Sequence, residues 1–110
     1  LTYIPEQGDI ILIDFNLQTG HEQKGKRPAY VISNYIFNQF TKMAIVCPIT
    51  STNRGFPLHV PLDDRTKTTG VIMCEQAKSL DIIARESSLL ESSPQDILDE
   101  VMDIFIGFIE

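Results

Sequence analysis

Apolar and polar positions divide this chain into short hydrophobic runs set apart by turn signals, followed by one stretch of helical periodicity. Asp9-Ile10-Ile11-Leu12-Ile13-Asp14-Phe15 is apolar without alternation, which predicts a strand buried on both faces and entered through the turn Pro5-Glu6-Gln7-Gly8. Pro28-Ala29-Tyr30-Val31-Ile32-Ser33 predicts a second strand with its proline at the first position, where a missing N–H costs least. These two strands should pair as a hairpin with a long connection. Asn34 to Thr41 sets Asn34, Asn38 and Gln39 among aromatic and aliphatic residues and reads as a turn or one short helix. Met43 to Ile49 predicts a third strand, broken by Thr50-Ser51-Thr52-Asn53-Arg54-Gly55. Phe56 to Leu62 alternates and holds two prolines, so it belongs at a sheet edge. After a charged, threonine-rich turn from Asp63 to Gly70, Val71 to Gln76 and Ala77 to Leu80 predict a fifth strand bent near Glu75.

The pattern then changes period. Ile97, Val101, Ile104, Phe105 and Phe108 fall on one helical face, and Asp96, Asp99, Glu100, Asp103 and Glu110 take the other. Ser93 fits an N-cap, Pro94 the first helical position, and Asp96 complements the helix dipole. Several short strands and one C-terminal helix predict a mainly β fold: a small barrel or strongly curved antiparallel sheet closed by an α-helix. At 110 residues, 1–110 is expected to form a single domain burying roughly 65% of its unfolded surface.

Composition adds a charge division. The net charge is −6, yet residues 86 to 110 hold seven acidic side chains and no Lys or Arg. An acidic total argues against nonspecific nucleic-acid binding, while the division leaves room for a local basic site away from the helix. No apolar run is long enough to span a bilayer, and Glu6 and Asp9 stand where a signal peptide would carry cations, so a cytoplasmic protein with no membrane partner is expected. Cys47 and Cys74 lie in apolar runs without metal-ligand spacing and are expected to be buried free thiols.

Candidate chemistry gathers in Gly20-His21-Glu22-Gln23-Lys24-Gly25-Lys26-Arg27-Pro28, between the first two strands. No P-loop, dinucleotide fingerprint, zinc spacing or nucleophile elbow is present. A site without metal or cofactor, built from loop residues, suffices for RNA cleavage, because the 2′-hydroxyl supplies the nucleophile. The protein then adds a base, a proton donor and support for the phosphorane charge. Arg27 can grip phosphate through its guanidinium fork, or be a plain surface cation. Glu22 can serve as the base, or pair with Lys24 or Lys26. His21 has the natural pKa for proton transfer, but its place on the loop, one residue away, favours an exposed bystander. The Thr50 hydroxyl can reach a phosphate or cap its own turn. His59, on an edge strand, reads as surface.

The order Gly8-Asp9-Ile10 to Asp14-Phe15, Gly20-x-Glu22-Gln23-x-Gly25-x-Arg27-Pro28-Ala29, Pro48-x-Thr50, Arg54-Gly55-Phe56-Pro57 and Glu75-Gln76-x-Lys78-Ser79 resembles the MazF/PemK toxins of bacterial toxin–antitoxin modules. The resemblance runs from about Tyr3 to Arg85. It implies an SH3-like, CcdB/MazF-type β-barrel, a homodimer, and metal-independent, sequence-selective cleavage of single-stranded RNA to 2′,3′-cyclic phosphate and 5′-hydroxyl ends. A cognate MazE-like antitoxin would hold it inactive. By position the resemblance makes Arg27 and Thr50 the pair that handles the scissile phosphate, with Glu22 as an acid or base. It puts His21, Gln23, Lys24, Lys26, Arg54 and Gln76 along the RNA path. Leu12 and Ile82 stand where some relatives carry tryptophan. Two other functions remain open on the sequence: a CcdB-like gyrase poison, and a noncatalytic barrel that binds RNA or a peptide.

Overall fold

A computed structural model describes residues 2–16 and 25–110. The strands are β1 (Asp9–Asp14), β2 (Lys26–Val31), β3 (Met43–Thr50), β4 (His59–Pro61), β5 (Val71–Met73), β6 (Lys78–Asp81) and β7 (Ser88–Ser92), with helices α1 (Tyr35–Thr41) and α2 (Gln95–Ile109). All pairings are antiparallel, in the order β4-β5-β3-β2-β1-β7, with β6 also on β3. β5 takes the C-terminal end of β3 and β6 the N-terminal end, so one edge of β3 serves two strands and the sheet must curve between them. The fold class is the expected one: a mainly antiparallel, barrel-like sheet with a C-terminal helix.

The unbroken hydrophobicity of β1 is explained by two cores, one on each face of the sheet. Ile10 joins Tyr30, Cys47, Ile49, Val60, Ile72 and Cys74 against Ile97, Val101 and Phe105 of α2. Ile11 and Ile13 turn the other way, to Ala29, Val31, Ala44, Val46, Leu80 and Ile82. Both cysteines are buried and free, as expected. Continuing the β3–β5 register sets Cys47 opposite Cys74, and the hydrogen bond between the thiols, with burial, pushes Cys47 far above its ordinary pKa.

Several local expectations change. Of the two readings of Asn34 to Thr41 the short helix holds, as Tyr35–Thr41, because the Asn34 side chain accepts from Phe37 N and caps it. Pro28 stands third in β2, not first; it pairs with Leu12 but lies beyond the last β2–β3 pair, Ala29 with Pro48, where no N–H is asked of it. The expected strand from Phe56 shrinks to β4. The bent fifth strand is two strands separated by a 3-10 turn at Cys74–Gln76.

α2 begins at Gln95, and Ser93 does not cap it. Its hydroxyl is drawn to Gly8 O at 2.8 Å and Tyr30 Oη at 2.6 Å, so it ties the helix approach to β1 and β2. Burial pushes the Tyr30 hydroxyl up to about 12, despite the opposing effect of Ser93. Of the expected helix stripe, Ile97, Val101 and Phe105 are buried and Ile104 is partly so; Phe108 is 45% exposed, its ring 4.9 Å from that of Phe105 between centroids. β7, paired to β1 through an irregular register, has no counterpart in the sequence reading.

Candidate functional site

The face of the sheet that carries the second core changes character at one end. Alternation along β3 sends Ala44 and Val46 into that core, and the same alternation puts Thr50, its last residue, on the same face. On β2, Ala29 and Val31 point into the same core, so Arg27 shares their side. Carried two positions past Ala29–Pro48, the register sets Arg27 opposite Thr50. On the far edge, Val60 and Ile72 belong to the first core, so their neighbours His59 and Met73, a cross-strand pair, also face Thr50's side. The apolar face thus ends in a row of polar side chains from β2, β3 and β4.

A cleft of about 260 Å³ opens there, lined by Thr50, Thr52, Arg54, His59, Met73, Glu75 and Gln76. Gly70 brings β5 against the end of β3: a Cβ at this residue would lie 2.2 Å from Thr50 O, and its φ of +121° suits glycine. Thr50 Oγ1 accepts from Thr52 N at 3.3 Å, the turn-capping contact foreseen as an alternative. That contact uses a lone pair and leaves the O–H to donate elsewhere, so capping and phosphate binding are compatible. Arg27 and Arg54 are exposed, and among the described residues neither makes an ion pair.

Lys26 points away from Arg27 and bonds to Glu86 at 3.3 Å. Gln76 ends the 3-10 turn, in the cleft. His21, Glu22, Gln23 and Lys24 lie outside the described residues. The two ends of their segment are fixed: Phe15 N donates to Gly25 O at 2.9 Å, and Arg85 donates to the carbonyls of Asp14 and Phe15, each at 2.9 Å. A Cβ at Gly25 would lie 2.1 Å from Asp14 Oδ1 and 3.0 Å from Asn16 Cβ, so any larger residue would have to displace the Asp14 carboxylate.

Three members of this face were not picked out from sequence. His59, read as surface, is largely buried and bonds to Glu75 at 3.0 Å. Glu75 is placed by the 3-10 turn; burial raises its pKa, but the hydrogen bonds from His59, its own backbone and Gln76 prevail, and the net shift is downward. Lys78, opposite Val46, lies 5.6 Å over the Phe15 ring on the same face as Arg27. Only the Glu75-Gln76-x-Lys78 motif hinted at the last two.

A curved antiparallel sheet packed on a C-terminal helix, with a hydroxyl and arginines that make no ion pair among the described residues at one end of a face, defines a small mainly β protein. The chain belongs to the family of PemK-like, MazF-like toxins of type II toxin–antitoxin systems, whose model matches residues 6–108. It is 37% identical to the endoribonuclease PemK of Escherichia coli, over 88% of this chain and 76% of that protein. MazF of Deinococcus radiodurans superposes with a TM-score of 0.86 at 34% identity, covering 98% of both chains. A MazE–MazF structure from the same organism gives 0.88 at 32% identity, covering 97% of both.

Proposed function

We propose that this protein is the toxin of a toxin–antitoxin pair, a sequence-selective endoribonuclease that cleaves single-stranded RNA without a metal and leaves 2′,3′-cyclic phosphate and 5′-hydroxyl ends. The observation that carries the reading is that Arg27 and Thr50 lie on one face at neighbouring ends of the paired strands β2 and β3: a guanidinium with no ion pair among the described residues, and a hydroxyl whose proton is unspent. Arg27 neutralises the phosphorane oxygens as their charge grows, and Thr50 donates to one of them. The 2′-hydroxyl gives up its proton as its oxygen bonds to the adjacent phosphorus, the bond to the 5′-oxygen breaks, and that oxygen takes up a proton in turn. Glu22, assigned as acid or base through the family resemblance, moves a proton in this step. Arg54 and Gln76 hold the strand in the cleft, with His21, Gln23 and Lys24 along its path.

The chain acts as a homodimer in the cytoplasm, and a MazE-like antitoxin blocks it. An acidic antitoxin segment would compete for the same arginines as RNA. Curated relatives are named endoribonucleases, and a solved neighbour is a toxin–antitoxin complex, which supports this partner choice.

The test is incubation of the purified protein with a long RNA in the presence of EDTA, followed by analysis of both new ends. Cyclic phosphate and 5′-hydroxyl termini are expected. Intact RNA with gyrase-dependent DNA breaks would move the protein to the gyrase poisons, and RNA binding without cleavage to the noncatalytic barrels.

A further inference from the structure

The cleft contains a histidine and a carboxylate that the proposed cleavage does not use. His59 opens β4, and its side chain is only 10% exposed. Its ring meets Phe56 edge-on, with centroids 5.0 Å apart at 72°. Nε2 lies 3.0 Å from Glu75 Oε2, whereas Nδ1 is buried with no hydrogen-bond partner. A carboxylate oxygen only accepts, so Nε2 carries the proton in this pair. The ring is therefore anchored at a single point, and that point is Glu75.

Glu75 is held from two sides, by His59 and by the Gln76 amide, and still shows 29% of its side chain to the cleft. An ionised carboxylate has about four lone-pair sites, so it can accept further hydrogen bonds after these. It cannot receive a phosphate, which would meet like charge. What fits against it is a donor.

The cleft also holds Thr50, so a strand whose phosphate lies at Arg27 and Thr50 would bring a neighbouring nucleotide to Glu75. At about 260 Å³ the cleft is below the roughly 300–1,000 Å³ typical of sites for drug-sized ligands, a size suited to one base. Bases of single-stranded RNA are read on their Watson–Crick edges, where a carboxylate pairs with an amino group, whereas the one donor of uracil, N3–H, lies between two carbonyls that repel it.

We propose that Glu75, oriented by His59, reads a base flanking the scissile phosphate and selects one with an amino group on its Watson–Crick edge (cytosine, adenine or guanine) over uracil. This rests on the ribonuclease reading above. His59 is a positioning residue: its Nε2–H fixes the carboxylate, and Phe56 backs the ring.

Cleavage of a randomised single-stranded RNA pool, with sequencing of the ends, tests it in the full chain. The wild type should disfavour uracil at one flanking position by about tenfold or more. Glu75→Gln offers an amide N–H to a uracil carbonyl, so it should lose or reverse that preference, with cleavage of RNAs that carry an amino-bearing base there falling more than cleavage of those that carry uracil. His59→Phe keeps the ring but drops the N–H, and should lose the preference too; His59→Gln, still a donor, should retain much of it. Thermal melting shows which variants fold, and if His59→Phe does not, Glu75→Gln decides alone. The inference is overturned if the wild type cleaves without disfavouring uracil, if the preference survives Glu75→Gln, or if Glu75→Gln slows every RNA equally, which would make Glu75 an acid or base. A wild type that neither cuts nor binds the pool sinks the ribonuclease reading and this inference together.

Discussion

The connection between β4 and β5 and the cleft beside it are both rich in polar side chains, but they spend them differently. In the connection, Arg65 forks onto Asp63 and Asp96, joining the loop to the start of α2 with contacts of 2.8 to 3.2 Å. Glu91 of β7 accepts from Lys67 N, Thr68 N and the Thr68 hydroxyl at 2.7 to 3.0 Å. These groups satisfy one another and close the loop over the sheet edge. In the cleft, Arg54 has no ion pair among the described residues, nor has Arg27 on the same face of the sheet as Thr50, and the Thr50 hydroxyl still has its proton to give. A guanidinium already saturated by carboxylates has nothing left for a phosphate, so which arginine can act on RNA follows from the partners it lacks.

The comparison breaks most sharply at Arg27. Arg27→Ala should lower RNA cleavage by about two orders of magnitude or more in single-turnover assays, as for loss of a transition-state charge donor. Its melting temperature should match wild type, because the side chain is exposed; a large fall in stability would place Arg27 with the structural group. Thr50→Val, nearly the same volume, should cost roughly tenfold in cleavage with little change in melting, the scale of one hydrogen bond to a charged group. Wild-type activity would return Thr50 to turn capping alone.

On the structural side, Glu91→Gln should destabilise by about 1 kcal/mol in urea titrations after allowance for solvent screening, with cleavage preserved. Burial raises the pKa of Glu91, but the hydrogen bonds from Thr68 and Lys67 lower it further, and the net shift is below 4.5. A depressed folded pKa stabilises above the unfolded value, and this contribution is lost as pH falls through the folded one. Wild-type stability should therefore decline below about pH 4.5, and less steeply in Glu91→Gln; parallel profiles would mean that other carboxylates carry the acid response. Arg65→Ala should have the smallest effect, a slight fall in melting temperature that added salt removes, because its fork is solvent-exposed. An effect that survives high salt would show that the fork does more than join charges.

Residues close in sequence determined what they could by themselves. The unbroken run from Ile10 to Ile13 marked a strand buried on both faces, and the spacing of Ile97, Val101 and Phe105 marked the helix face that covers the first core. The motifs containing Arg27, Thr50 and Gln76 carried the family. Tertiary structure decided whatever depended on a distant partner. Ser93 has the chemistry of an N-cap, yet Gly8 O and Tyr30 Oη reach it across more than sixty positions of chain and take its hydroxyl. Leu89 and Leu90 lack the alternation of a strand, and β7 exists because β1 offers it a free edge. His59 read as surface because two prolines put its segment at a sheet edge; Glu75, sixteen residues away, becomes its partner only once β4 pairs with β5 and the 3-10 turn swings the carboxylate back over the cleft. Local pattern reports which face a residue prefers, and strand register determines what waits on that face.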